Sequence, residues 1–305
     1  MIYTVTLNPA LDYFMAYDRV EIGDVNRTKV TRMTPGGKGI MESRMLSLLK
    51  TENTALGFIG GFTGQAIKDS LIAQGIQTDF TKIQGQSRVN VKLKTAASET
   101  SLDAAGPNLT AEDIERFLAK FDLLQSNDIV ALAGTAPKSL GDNFYEVLIE
   151  KIVSKGANFA IDVDGQKLLR TLAQKPLVVK PNREELEAIF GVTFNDMKDI
   201  IPYGKKLLEM GAKNVMVSMA GDGALLFSKD DVYFAAPVKN TIKNSVGAGD
   251  STVAGFIAEW SKSQDPLKSF KQGVACGTAK VFSDDMPTEA FLASCFDQIK
   301  IEKIN

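Results

Sequence analysis

Short, nearly continuous apolar runs alternate with longer amphipathic ones along most of the chain. IYTVTL (2–7), ALGFIG (55–60), DIVALAG (128–134), NFAIDV (158–163), LVVK (177–180) and VMVSM (215–219) predict buried strands. Between them, apolar positions recur at helical spacing over 41–50, 64–74, 111–121, 143–155, 183–190 and 199–210. Alternation of this kind predicts an α/β fold, a mainly parallel sheet with helices on both faces. Two stretches break the rhythm. Residues 12–33 (DYFMAYDRVEIGDVNRTKVTRM) and 79–95 (DFTKIQGQSRVNVKLKT) alternate apolar with polar positions and carry turn signals. They predict exposed antiparallel strands in a small second sheet, either a solvated extension of the body or a lid over a site.

Composition narrows the function. Hydrophobic residues make up 44% of the 305, enough for a sizeable core in one large or two modest domains. The 35 basic and 37 acidic side chains nearly cancel, which argues against a nucleic-acid partner, because phosphate backbones require a basic surface. The chain has no histidine, so Ser-His and Cys-His catalysis and most catalytic zinc sites are excluded. Cys276 and Cys295 are too few and too late for a disulfide framework, and a reduced, cytoplasmic setting is expected. No basic leader or cleavage site precedes the first strand, and no run of about 18 apolar residues occurs, so neither a signal peptide nor a membrane span is expected.

The glycine-rich motifs carry the chemistry. NSVGAGDS (244–251) leads into an apolar run at helical spacing, which puts Gly247, Ala248 and Gly249 at a helix start. Unpaired N–H groups and the helix dipole attract an anion there. No Lys-Ser/Thr pair follows as in a Walker loop, and Thr252 stands where a dinucleotide fingerprint needs a small residue. A plain glycine turn, with Asp250 answering the dipole, fits the same letters. In TPGGKGIMESRMLSLL (34–49), Gly37 and Lys38 again open a helix, and Lys38 is either a point charge for a phosphate or an exposed lysine. VVKPNREEL places Asn182 and Glu185 three apart at a helix start, suited to Mg²⁺ through water or to ordinary capping. SMAGDGALLF (218–227) predicts a hairpin, and LNPALD ends the first strand with polar Asn8 and Asp12, at the sheet edge where α/β proteins bind ligands. Arg27 and Arg88 lie in the two irregular stretches.

TLNPALD, PGGKGI, GFIGGFTGQAI, RVNVKLK, KPNREEL, SMAGDGALL and NSVGAGDS occur in that order across positions 6–251. Together they resemble the ribokinase/PfkB carbohydrate kinases, and more closely the branch that phosphorylates sugar phosphates. The resemblance implies one ribokinase-like kinase domain over 1–305, a three-layer α/β/α sandwich with lid strands from about 12–33 and 79–105. It implies Asp250 as the base, with the Gly247, Ala248 and Gly249 amides as the anion hole for the moving phosphoryl group. Asn182 and Glu185 match the motif that organises Mg²⁺ (Glu185 through water) and the ATP phosphates, and Ser218, Gly221 and Gly223 match nucleotide-side positions. Asp12, Gly37 and Lys38 match the sugar side. Arg27, Arg88 and Asn90 match lid positions available to the substrate's own phosphate. Fructose 1-phosphate is the expected acceptor and tagatose 6-phosphate the alternative; a free sugar, a nucleoside or a catalytically weak sensor role are further ones. A homodimer through the lid is also implied. The chain departs from the family pattern at Met41, where an asparagine usually binds the sugar, at Glu42, where a small apolar residue is usual, and over 99–107.

Overall fold

The apolar runs form the spine of one ten-stranded sheet in the computed structural model, which describes residues 1–95, 98–163 and 165–304. The chain begins β1 (Ile2–Thr6), β2 (Ala10–Ala16), β3 (Val30–Gly36), α1 (Lys38–Leu48), β4 (Asn53–Gly60), α2 (Gly61–Ala73), β5 (Gln77–Ile83), β6 (Arg88–Lys94) and β7 (Glu99–Leu102). It continues with α3 (Ala111–Leu118), β8 (Ile129–Ala133), α4 (Phe144–Ser154), β9 (Asn158–Asp162), α5 (Gln166–Thr171), β10 (Val178–Val179), α6 (Arg183–Phe190) and α7 (Met197–Glu209). It ends with β11 (Asn214–Ser218), β12 (Ala224–Ser228), β13 (Asp231–Ala235), α8 (Ala248–Ser263), α9 (Pro266–Val281), α10 (Glu289–Gln298) and β14 (Ile301–Lys303).

The strands β5, β4, β1, β8, β9, β10 and β11 lie side by side and parallel, and β12, β13 and β14 extend the sheet antiparallel. Alternate residues face opposite ways, so each strand feeds two cores. Val130 and Leu132 join Phe117 of α3, Leu148 of α4, Leu186 of α6 and Leu207 of α7 on one face. Ile129 and Ala131 join Met45 of α1, Phe256 of α8, Phe270 of α9 and Leu292 of α10 on the other. That burial on both faces explains why the central strands read as continuous apolar runs rather than alternating ones. It also makes the three layers.

The second sheet, in the order β3–β2–β6–β7, has two unlike faces. Residues opposite one another in register share a face. Asp12 with Asn90, and Lys92 with Ser101, fall on a polar face; Tyr13 with Met33 and Val91, and Val91 with Leu102, fall on an apolar one. The polar face turns toward the loop before α8, where Lys94 Nζ donates to the Lys243 carbonyl at 3.5 Å.

The irregular stretches are corrected in three respects. Residues 77–83 form β5 at the edge of the main sheet, not a lid strand; an edge strand covered on one face alternates just as an exposed sheet does. β6 pairs with β2 in parallel, because three strands and two helices separate them in the chain rather than a tight turn. Residues 17–29 form no strand, and 96–97, within the expected lid, lie outside the described residues. Helices α1 and α2 begin about three residues before their expected starts, since glycines at 39, 61 and 64 leave no mark in an apolar periodicity. The predicted 218–227 hairpin forms, with β11 and β12 antiparallel about a short turn at Ala220–Asp222.

Candidate active site

The site lies at the carboxyl ends of the parallel strands, where chain leaves the sheet and backbone groups are free to meet ligands. Gly247 precedes α8 with φ of 78°, a left-handed conformation that costs glycine nothing, and no side chain caps the helix. The turn before it is tied down from behind. The Lys243 and Asn244 N–H groups both donate to the Val281 carbonyl, at 2.9 and 3.1 Å. Asn244 Nδ2 donates to the Asp284 carbonyl at 3.0 Å, while Asn244 Oδ1 accepts from the Val246 N–H at 3.0 Å. The first amides of α8 are thereby presented in a fixed direction, an arrangement suited to an anion. Asp250, three residues past Gly247, is only 7% exposed. Burial first, and then the charge of Asp162, push its carboxyl up to about 6, while Lys38, Lys180 and Lys280 oppose the shift.

Asp162, Lys180 and Lys280 escaped the sequence reading. Asp162 ends β9 and Lys180 follows β10, adjacent strands, so both project from the same sheet edge. Lys38 Nζ lies 3.4 Å and Lys180 Nζ 3.9 Å from Asp162 Oδ2. Lys180 reaches over the start of α8: a Cβ on Gly249 would stand 2.9 Å from its Nζ, so a larger residue there would displace the ammonium. The signal for Asp162 and Lys180 was a charge terminating an otherwise apolar strand.

On the lid side, Asn90 Nδ2 donates to Asp12 Oδ1 at 2.8 Å, and Asn90 Oδ1 accepts from the Ala104 N–H at 3.2 Å. Burial pushes the Asp12 carboxyl up, and the bond from Asn90 pulls it back. Arg88 donates through Nε to the Asn8 carbonyl at 3.1 Å and through Nη1 to the Ala104 carbonyl at 3.2 Å. Gly37, at the start of α1, and Lys38 complete this wall. Arg27 does not join it. It lies exposed in the loop 17–29, beyond the end of β2 opposite to the one that pairs with Arg88.

On the nucleotide side, Asn182 and Glu185 form a reciprocal capping box: Asn182 Oδ1 accepts from the Glu185 N–H at 2.7 Å and Glu185 Oε2 from the Asn182 N–H at 2.8 Å. Asn182 bridges Ser218 in parallel, and Arg183 Nη2 holds Asp222 Oδ2 at 2.8 Å, so α6 and the turn carrying Gly221 and Gly223 are joined. The structure thus gathers the expected nucleotide-side residues along one edge.

The chain matches the pfkB family carbohydrate kinase profile over residues 5–286. It belongs to that family. It is 44% identical to the 1-phosphofructokinase of Bacillus subtilis (strain 168), each chain covered in full. It is 32% identical to the D-tagatose-1-phosphate kinase of Bacillus licheniformis, over 99% of each chain. Phosphofructokinase-2 of Escherichia coli in complex with fructose-6-phosphate superposes with a TM-score of 0.90 over 97% of this chain and 98% of the other, at 23% identity, which shows the shared fold.

In this kinase the two departures on α1 stand near the start of α8. The Met41 methyl presses on Gly247, 2.8 Å from where a Cβ would stand, and its sulfur accepts from Arg44 Nη1 at 3.7 Å. Arg44 is in turn clamped to both oxygens of Asp285, at 3.0 and 2.7 Å. A thioether therefore occupies the wall where an amide would have offered a sugar hydroxyl two kinds of hydrogen bond. Glu42 is fully buried beside it. Among the described residues no helix is long and apolar enough to cross a membrane.

Proposed function

We propose that this kinase transfers the γ-phosphoryl group of ATP to the free terminal hydroxyl of fructose 1-phosphate, giving fructose 1,6-bisphosphate. The observation that carries the reading is the start of α8: a fixed glycine turn that no side chain caps, with Asp250 buried one step inside. Asp250 takes the hydroxyl proton as the oxygen attacks, and the Gly247–Gly249 amides stabilise charge on the moving phosphoryl group. Lys180, lying over Gly249, adds a positive charge at the same place. Phosphoryl transfer gains most from such positioning and electrostatics. Asp12, Asn90 and Lys38 orient the sugar, while Arg88 holds its existing phosphate. Both named relatives act on ketohexoses phosphorylated at carbon 1, which favours fructose 1-phosphate and makes tagatose 1-phosphate the second candidate.

Mg²⁺ would enter with the nucleotide. Glu185 already gives one oxygen to the Asn182 N–H, and among the described residues no group of three acidic, histidine or cysteine side chains gathers to hold an ion directly. Such a donor set suits an ion that keeps most of its water, held by Glu185 through that water. The ion would neutralise phosphate charge. Both cysteines are free and buried, in keeping with a reducing cytoplasm.

The test is ADP release with fructose 1-phosphate, tagatose 1-phosphate, tagatose 6-phosphate and free fructose. Fructose 1-phosphate should give the highest kcat/KM; a preference for free fructose sinks the assignment. Asp250→Asn should lower kcat by roughly 10²–10⁴ with ATP binding retained. For the wild type, kcat should fall as pH drops through about 6, where the Asp250 carboxylate takes up its proton. Near-normal turnover by the variant would remove Asp250 from the mechanism.

A further inference from the structure

Glu42 is 0% exposed, and neither of its carboxyl oxygens has a hydrogen-bond partner among the described residues. A buried carboxylate without partners is costly, and proteins ordinarily avoid it by pairing or by keeping the group protonated. Its surroundings decide between these. Lys38 faces it from one turn earlier on α1, Asp250 from α8, Asp162 from the end of β9 and Lys180 from beyond β10. β1, packed beneath α1, contributes only uncharged Thr4 and Thr6, and Thr4 Oγ1 is already bonded to Ser43 Oγ at 2.6 Å. Lys280 of α9, itself buried, faces Asp250 as well. A charged Glu42 would add a negative charge at the place where a nucleotide's phosphates must arrive.

We propose that Glu42 is a positioning residue of the transfer site, a neutral carboxyl that adds no negative charge beside Lys38, Lys180, Asp162 and Asp250, and whose ionisation repels the anionic nucleotide and sets the upper pH limit of turnover. It acts through those four side chains and touches neither the acceptor nor the reacting phosphate. Burial, and then the negative charges of Asp250 and Asp162, hold its pKa well above the ordinary carboxylate range, in agreement with the geometry. For a unit charge about 8 Å from another of the same sign, an effective dielectric constant of about 20 implies a loss of binding of roughly 10- to 50-fold. This inference rests on the kinase reading above, but one arm of its test does not.

The first arm follows KM for ATP across alkaline pH in the wild type and in Glu42→Gln. The wild-type KM should rise about 10-fold or more and the variant's should stay flat. Equal profiles overturn the proposal. So does an acid limb of kcat that moves to lower pH in the variant, because that shows a charged Glu42 in the resting enzyme. The second arm is Tm, which needs no turnover. A group whose pKa is raised on folding stabilises fully below its unfolded value, and that contribution is lost as pH rises toward the folded value. The Tm of Glu42→Gln minus that of the wild type should therefore grow from about pH 5 upward, starting at the ordinary glutamate range. A constant difference overturns the proposal. Should the glutamine variant fold poorly, Glu42→Val, equally neutral, carries the same expectations. Failure of the Asp250→Asn test would leave the Tm arm standing, so the two ideas can fail separately.

Discussion

Nε of Arg88 donates to the Asn8 carbonyl and Nη1 to that of Ala104, so the guanidinium is oriented before any sugar phosphate arrives. A lysine has neither the fork to keep both anchors nor the flat edge to meet a phosphate through two parallel bonds. Hydrogen bonds to charged groups contribute roughly 1.5–3 kcal/mol, so Arg88→Lys should raise KM for the sugar phosphate about 10- to 150-fold. KM for ATP should hardly change, because the nucleotide-side residues belong to α6 and the β11–β12 turn. Steady-state kinetics with both substrates varied will show it; equal rises in both constants would mean that Arg88 supports the lid and not the phosphate. Its sequence neighbourhood marked Arg88 and Arg27 alike as candidates. Only the strand register separates them, placing one at the near end of β2 and the other beyond its far end.

At the scale of one element, α6 shows two uses of one glutamate. The capping box commits Glu185 Oε2 to the Asn182 N–H, the ordinary helix-start role, and the same carboxylate lies beside the Asn182–Ser218 bridge on the nucleotide side. Glutamine can still accept that bond, since capping boxes use Glu or Gln at this position. Glu185→Gln should therefore cost only the dipole attraction, about 0.3–1 kcal/mol, while the Mg²⁺ concentration needed for half-maximal activity rises. A lowered Tm with an unchanged Mg²⁺ titration would assign Glu185 to the helix alone. The element was legible because Pro181, Asn182 and the acidic first turn are local signals of a helix start. β5 was not. Its alternation is the same whether the strand lies in a lid or at the margin of the main sheet, and only its parallel pairing with β4 distinguishes them.

Over the whole molecule, the lid's apolar face is covered at one end and open at the other. Leu11 packs with Ile67 and Leu71 of α2, whereas Met33 and Leu102 remain 59% and 55% exposed. A sheet face with that many exposed apolar side chains marks an association surface. We propose that a second copy of the chain covers it, lid against lid. Light scattering during size-exclusion chromatography should then give twice the chain mass of 33.0 kDa for the wild type and a single mass for the double variant Met33→Asp, Leu102→Asp. Both side chains are already largely in water, so the aspartates should cost folding little. A monomeric wild type at tens of micromolar would rule the lid dimer out.

The central strands, the helices between them and the start of α8 follow from the sequence alone, because their causes lie within a few residues: apolar continuity for the strands, 3.6-residue spacing for the helices, glycines leading into an acid for α8. The ordered motifs placed the chain among the carbohydrate kinases for the same local reason. Which charges meet was decided by tertiary structure. Asp162 and Lys180 stand 18 positions apart in the chain and come within 3.9 Å because β9 and β10 are neighbours in the sheet. Glu42 stood out in the sequence only as an acid where the family usually has a small apolar residue; packing of α1 over the strand ends buried it and set it near Asp250. Periodicity reports what one element does with its own faces. Solvation and charge inside a site depend on which elements close over it, and that is fixed by contacts far apart in the chain.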